Sequence, residues 1–213
     1  MKKLFSILMA LCLIVPMYAD VQQSVNKALL KAQQKEQKQK IKEYKKGGWE
    51  IIGSRTMEVA LLKHYSKLAE LGDNGVEFHG ISSATKSKNL GEQMALNNAT
   101  IQYAQKAGST VKGRVVSDMF GDGSGDGEGE FEKFYAAYER LVEQKVKNVM
   151  TPSYSIVRQN ADGTYEIQSF FIVDENKAKS ARQAAVEGAI KDSELASKYA
   201  DTVKGFINDK IED

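Results

Sequence analysis

SYSIVRQNADGTYEIQSFFIV (153–173) reads as a β-hairpin, and the sheet expected of this chain is built around it. SYSIVRQ (153–159) and TYEIQSFFIV (164–173) are rich in β-branched and aromatic residues, and both read as strands. Asn160-Ala-Asp-Gly163 between them is a short glycine-containing turn. Two strands joined so closely must run antiparallel, because a parallel pair needs a crossover of a dozen or more residues.

Upstream lies the clearest helix of the chain. Phe131, Phe134, Tyr135, Tyr138, Leu141, Val142, Lys145, Val146 and Val149 form one stripe at steps of three and four, and Pro152 marks its end. The aromatic members could line a ligand, but helical spacing makes them a core stripe. Further upstream, STVKGRVVSDM (109–119) alternates and predicts a strand. Ser87 to Ala107 holds many small residues and predicts a helix ended by Gly108. VEFHGIS (76–82) predicts another strand, and WEIIGS (49–54) a short one. Between these two, Met57, Leu61, His64, Tyr65, Leu68 and Leu71 share a helical face, stopped by Gly72-Asp-Asn-Gly75. Downstream, 174–212 predicts helix, with Asp174 as N-cap and breaks near Ser193 or Gly205.

The predicted order is β-α-β-α-β-α-β-β-α. The fold class is α+β: a small antiparallel sheet with helices packed on it, plus flanking helical extensions. The expected domains are a signal peptide at 1–19, a basic Lys/Gln-rich leader helix or linker at 20–48, an α+β domain at 49–175 and a C-terminal helical extension at 176–213.

The first nineteen residues, MKKLFSILMALCLIVPMYA, have the parts of a secretory signal. Lys2 and Lys3 give a positive start, Leu4 to Val15 an apolar run, Pro16 a break and Ala19 the small residue before a cut. The run is shorter than the roughly 20 residues that a spanning helix needs. Cys12 is the single cysteine. It follows Leu11 rather than a small residue, so lipid attachment there is not expected, and cleavage near Ala19 removes it. The mature chain is then without thiol chemistry or disulfides. Export to the periplasm or cell envelope in soluble form is the expectation.

Net charge is +2. This balance lacks the basic footprint of a nucleic-acid binder. The segment 21–46 is a different zone, with lysines at 27, 31, 35, 38, 40, 42, 45 and 46. It reads as a solvated helix or flexible leader, with contact to anionic lipid or wall polymer as the alternative.

The loop FGDGSGDGEGE (120–130) carries Asp122, Asp126, Glu128 and Glu130. Alternating oxygen side chains with a glycine at the sixth position suit a calcium loop. Lys133 stands where the bidentate glutamate would, and the plain reading is an acidic, glycine-rich solvent loop. The same acids would repel phosphate. His64 and His79 show no convergent metal-ligand spacing. No Gly-x-Ser-x-Gly elbow occurs. Glu139 and Glu143 fit a helix surface better than a glycosidase pair. Catalytic, cofactor and metal residues are therefore expected to be absent.

LGEQMALNNATIQYAQKAGSTVKGRVV (90–116), FEKFYAAYERLVEQKVKNV (131–149) and the hairpin at 153–173 together resemble the Helicobacter-type twenty-kilodalton envelope lipoprotein family. That family's domain also resembles the N-terminal part of the flagellar T-ring protein. The resemblance covers about 75–175. It implies a dodecin-like sheet with helices on it, an exported envelope protein and no catalytic residues to carry over. Cys12 departs from that family's lipid-anchor site. The function expected is an exported, non-enzymatic envelope protein acting as a structural or assembly module with a protein partner; a homo-oligomer is left open. The alternatives are a calcium- or small-ligand-binding module at 120–130 and, more weakly, an uncatalogued hydrolase.

Overall fold

A computed structural model describes residues 31–32, 34–120, 131–208 and 211. The proposed signal peptide, Cys12 and the acidic loop with Asp122, Asp126, Glu128 and Glu130 lie outside the described residues. The chain divides into two compact units between Gly47 and Gly48. In the first, residues 31, 32 and 34–46 are helical (α1), and the i,i+4 pair Gln39–Glu43 is hydrogen-bonded at 3.0 Å.

The second unit is an α+β fold built on one four-stranded antiparallel sheet. The strands are β1 (Glu50–Ile51), β2 (Gly75–Thr85), β3 (Met150–Gln159) and β4 (Tyr165–Asp174), in the order β1-β3-β4-β2. The hairpin read from 153–173 is β3–β4, with Arg158 opposite Glu166 and Gln159 opposite Tyr165. Gly163 has φ +82°, which a side chain would strain, so the glycine of the turn is required there. Strand β3 starts at Met150, so Pro152 sits within a strand rather than at a helix end. It lies beyond the short β1 pairing, which reaches only Ile156 and Val157, so its missing N–H breaks no ladder bond.

Helix α2 (Met57–Leu71) covers part of one face. Thr56 caps it by accepting from the Val59 N–H, and Met57, Ala60, Leu61 and His64 are its buried residues. The other face carries helix α3 (Lys88–Val115), capped by Ser87. Gly80 permits its close approach: a Cβ there would lie 1.8 Å from the Ala95 carbonyl oxygen. Helix α4 (Glu132–Val146) packs against α3 and against α5 (Glu175–Ala189). Short helices α6 (Glu194–Lys198) and α7 (Ala200–Gly205) follow, the first capped by Ser193.

Three further expectations are corrected. The strand expected at 109–119 is the last part of α3, followed by a π-helical turn at Val116–Phe120. The alternation of Val111 and Val115 is real, but the same residues continue the helical row from Ala104 and Gly108. All four are buried in the core. Gly108 does not end the helix either; Glu139 of α4 leans on it, and a Cβ would meet that carboxylate at 2.2 Å. The segment expected as a C-terminal extension belongs to the body. Ala178, Ala185, Val186, Ala189, Val203, Phe206 and Ile207 are all part of the main core cluster. A break expected near Ser193 or Gly205 does occur at Ser193. Phe131, Phe134, Tyr135 and Tyr138 are core residues, and the Phe134 and Tyr138 rings stack with centroids 5.9 Å apart.

Candidate functional site

The sheet face under α2 brings together side chains that the sequence keeps apart. The pairing of β3 with β4 shifts by one between Pro152 and Tyr154, leaving Ser153 as the extra residue of a bulge. A bulge re-aims its side chain. Here it points the Ser153 hydroxyl at α2, where Oγ lies 2.9 Å from His64 Nδ1. The other ring nitrogen, Nε2, is in close contact with Glu77 Oε2 of β2, an ion pair only when the imidazole is protonated, and without the alignment of a hydrogen bond. The His64 side chain is fully buried, whereas that of Glu77 is 24% exposed. Tyr154 closes the imidazole edge-on at 5.3 Å, and stacks on Phe170 at 4.4 Å. His79, exposed on β2, stacks on the opposite flank of Phe170 and takes no part in the cluster.

Ser153 also lines a cleft of about 240 Å³, with Ile51, Ile52, Gly53, Ser54, Arg55, Ala60 and Tyr154. That is smaller than most ligand pockets. Its walls mix apolar side chains with one guanidinium. Serine, histidine and carboxylate in sequence are the elements from which a hydroxyl is activated for acyl transfer. A neutral His64 accepting from Ser153 at Nδ1 keeps its proton at Nε2, on the Glu77 side.

A second polar cluster is sealed in the helical layer. Glu175 and Arg182, both on α5, are 3% and 2% exposed. Arg182 Nη1 donates to Glu175 Oε2 at 2.8 Å and contacts Tyr103 Oη of α3, which itself donates to Glu175 Oε1 at 2.9 Å. Burial pushes the Tyr103 phenol well above its usual range; the Arg182 charge pulls it back and Glu175 pushes it further. Tyr138 is raised likewise, mainly by burial. Burial works against the charge on Arg182, but Tyr103, Glu175 and Tyr138 outweigh it and hold the guanidinium's pKa above its usual value. With no opening to solvent among its members, this cluster clamps α3 to α5.

The third feature is on α3. Leu90, Met94 and Ile101 are 52%, 41% and 37% exposed. They stand at steps of four and seven on one helical face, with Asn97, which accepts from Lys147 Nζ at 3.0 Å, between Met94 and Ile101. That same face continues through Ala104, Gly108 and Val115, where it is buried in the core beside α4. The row is thus covered over its second half and open over its first.

Glu139 and Glu143 are on α4, and burial raises the Glu139 pKa, with the Glu132 charge adding to it and Lys112 opposing. Among the described residues no group of three or more His, Cys, Asp or Glu could hold a metal ion. Among them, too, no helix is long and apolar enough to cross a membrane. No family model matches the chain, and no curated protein or solved structure matches it.

Proposed function

We propose that the protein is an exported envelope protein whose work is assembly with a protein partner. The observation that carries this is the open apolar row Leu90–Met94–Ile101. Its continuation along α3 is filled by a helix of the chain's own, α4, so the shape that fits the open half is another amphipathic helix. The signal-like N-terminus and the resemblance to the twenty-kilodalton envelope lipoprotein family support the envelope as the place. The test is a photo-crosslinking residue at Met94 in the mature chain expressed in its own cells. A defined crosslinked species, lost on Leu90→Glu, is the expected result. No crosslink in intact cells, or a chain retained in the cytoplasm, overturns the reading.

A second reading, hydrolysis, is favoured by the Ser153–His64 hydrogen bond at the mouth of a cleft. Ser153 Oγ would attack the carbonyl carbon of a small acyl ester while its proton passes to His64 Nδ1; the imidazolium would return that proton to the departing alcohol as its C–O bond breaks, and water would then release the acid from Ser153. The new imidazolium would be balanced by the Glu77 carboxylate. Turnover of short-chain nitrophenyl esters, abolished by Ser153→Ala, supports it; a rate equal to that of buffer, or unchanged by Ser153→Ala, eliminates it.

A further inference from the structure

Charge is divided unevenly along this chain. Residues 20–47 hold eight lysines against three acids, whereas from Gly48 onward twenty bases stand against twenty-five acids. The overall near-neutrality therefore hides a basic segment next to an acidic body. The structure then sorts the basic segment by face. On α1, Lys31, Lys35, Lys38, Lys42 and Lys45 follow one another at steps of four and three, and all five are exposed. At about 100° per residue they fall within an arc of about 80°, along about 21 Å of helix. Gln34 and Gln39 flank the row, and together with Lys31, Lys35, Lys38 and Lys42 they line one shallow groove. The buried residue of this helix, Ile41, lies off the row.

We propose that this lysine face is a docking surface for an anionic lipid membrane. Neighbouring lysines are spaced along the axis by about 5 Å, less than the screening length of about 8 Å at physiological salt, so their positive potentials add along the face. A membrane plane meets all five at once, because they project from one side of a straight helix. The row holds no aromatic or aliphatic residue to insert, so the attraction is electrostatic and reversible, about fivefold in affinity per lysine near an anionic surface. The acidic remainder of the chain adds nothing to that attraction. The contact would keep an exported protein at a membrane without a lipid anchor or a spanning helix.

The experiment is co-sedimentation of the mature chain, Asp20 to Asp213, with vesicles of phosphatidylcholine alone or with about a third phosphatidylglycerol. Binding to the anionic vesicles only, abolished at 0.5 M salt, is expected to the extent that about 10 Å of screening falls to about 4 Å. Lys35→Gln/Lys38→Gln/Lys42→Gln should weaken it about a hundredfold with circular dichroism unchanged. Equal binding to neutral vesicles, no binding to anionic ones at low salt, or retention of full affinity by the triple variant each overturns the proposal. So does binding to a soluble polyanion such as polyglutamate with none to vesicles, which would assign the face to a polymer.

Discussion

Arg182 and Glu175 face each other across 2.8 Å, two turns apart on α5, both almost fully dry. Removing a charge from water costs several kcal/mol, so each of the two is tolerable only because of the other and of Tyr103. Arg182→Met leaves Glu175 buried without its counter-charge and should destabilise the fold by about 3–5 kcal/mol. The double variant Arg182→Met/Glu175→Gln should recover most of that loss. Urea denaturation of the four members of the cycle measures it. A double variant as unstable as the single one would mean that packing by the Arg182 stem, not charge, carries the effect.

Tyr138 behaves differently in the same layer. Its hydroxyl is buried with no hydrogen-bond partner among the described residues. Tyr138→Phe removes an unsatisfied group and should leave stability unchanged or raise it by up to about 1 kcal/mol, opposite in sign to most core substitutions. Tyr103→Phe, which deletes the donor to Glu175, should be destabilising. A thermal melt of each variant distinguishes them.

Both phenols also predict an alkaline limit. Their folded-state pKa values are raised above the ordinary value near 10, so stability is fully present below pH ~10. Above that pH the unfolded chain releases protons that the folded chain retains. Stability then falls by about 1.4 kcal/mol per pH unit for each phenol. Tyr138→Phe should remove about half of that slope. Urea midpoints between pH 9 and 11.5 read it directly.

Glycines on the two sides of α3 packing should respond in opposite directions. Gly80→Ala drives a Cβ into the Ala95 backbone carbonyl, which cannot move without shifting the helix. A loss of about 3 kcal/mol, or failure to fold, is expected. Gly113, exposed in α3 itself, has nothing within 4 Å of a new Cβ. Gly113→Ala should stabilise by about 0.5–1 kcal/mol, as alanine does in a helix interior.

The contrast explains what could be read in the sequence. Local signals survived: the β3–β4 hairpin, the Gly72 stop, the Asp174 cap, the break near Ser193 and the aromatic stripe of α4 each depend on residues a few positions apart. The segment 109–119 was misread because Val111 and Val115 satisfy both a two-residue and a helical period. Only the neighbouring α4, leaning on Gly108, decides between them. His64 and Ser153 are 89 positions apart, and their meeting depends on a one-residue bulge that no local pattern announces. The available hint was a histidine on an otherwise apolar helical face. Arg182 was hidden in the same way, among the alanines of α5. The segment 176–213 reads in sequence as an extension, yet its alanines Ala178, Ala185 and Ala189 sit in the core.

Strand β2 supplies the last prediction. Among the described residues it lies at the end of the strand order and is the longest strand, eleven residues, paired with β4 alone. An open edge of that length invites another strand. Two of its carbonyls are covered by side chains: Asn98 Nδ2 donates to the Ile81 oxygen at 2.7 Å, and Asn160 Nδ2 to the Ser83 oxygen at 2.9 Å. Neither asparagine is in the core, so neither contributes by burial. Their hydrogen bonds tie up two of the strand's backbone acceptors, which the double variant would set free. Asn98→Ala/Asn160→Ala should therefore change the unfolding free energy by no more than about 2 kcal/mol, while making the protein self-associate as concentration rises. Sedimentation velocity at increasing concentration, with thioflavin fluorescence after long incubation, measures this. A double variant that stays monomeric wherever the parent does would show that the exposed, twisted end of β2 protects itself without its asparagines.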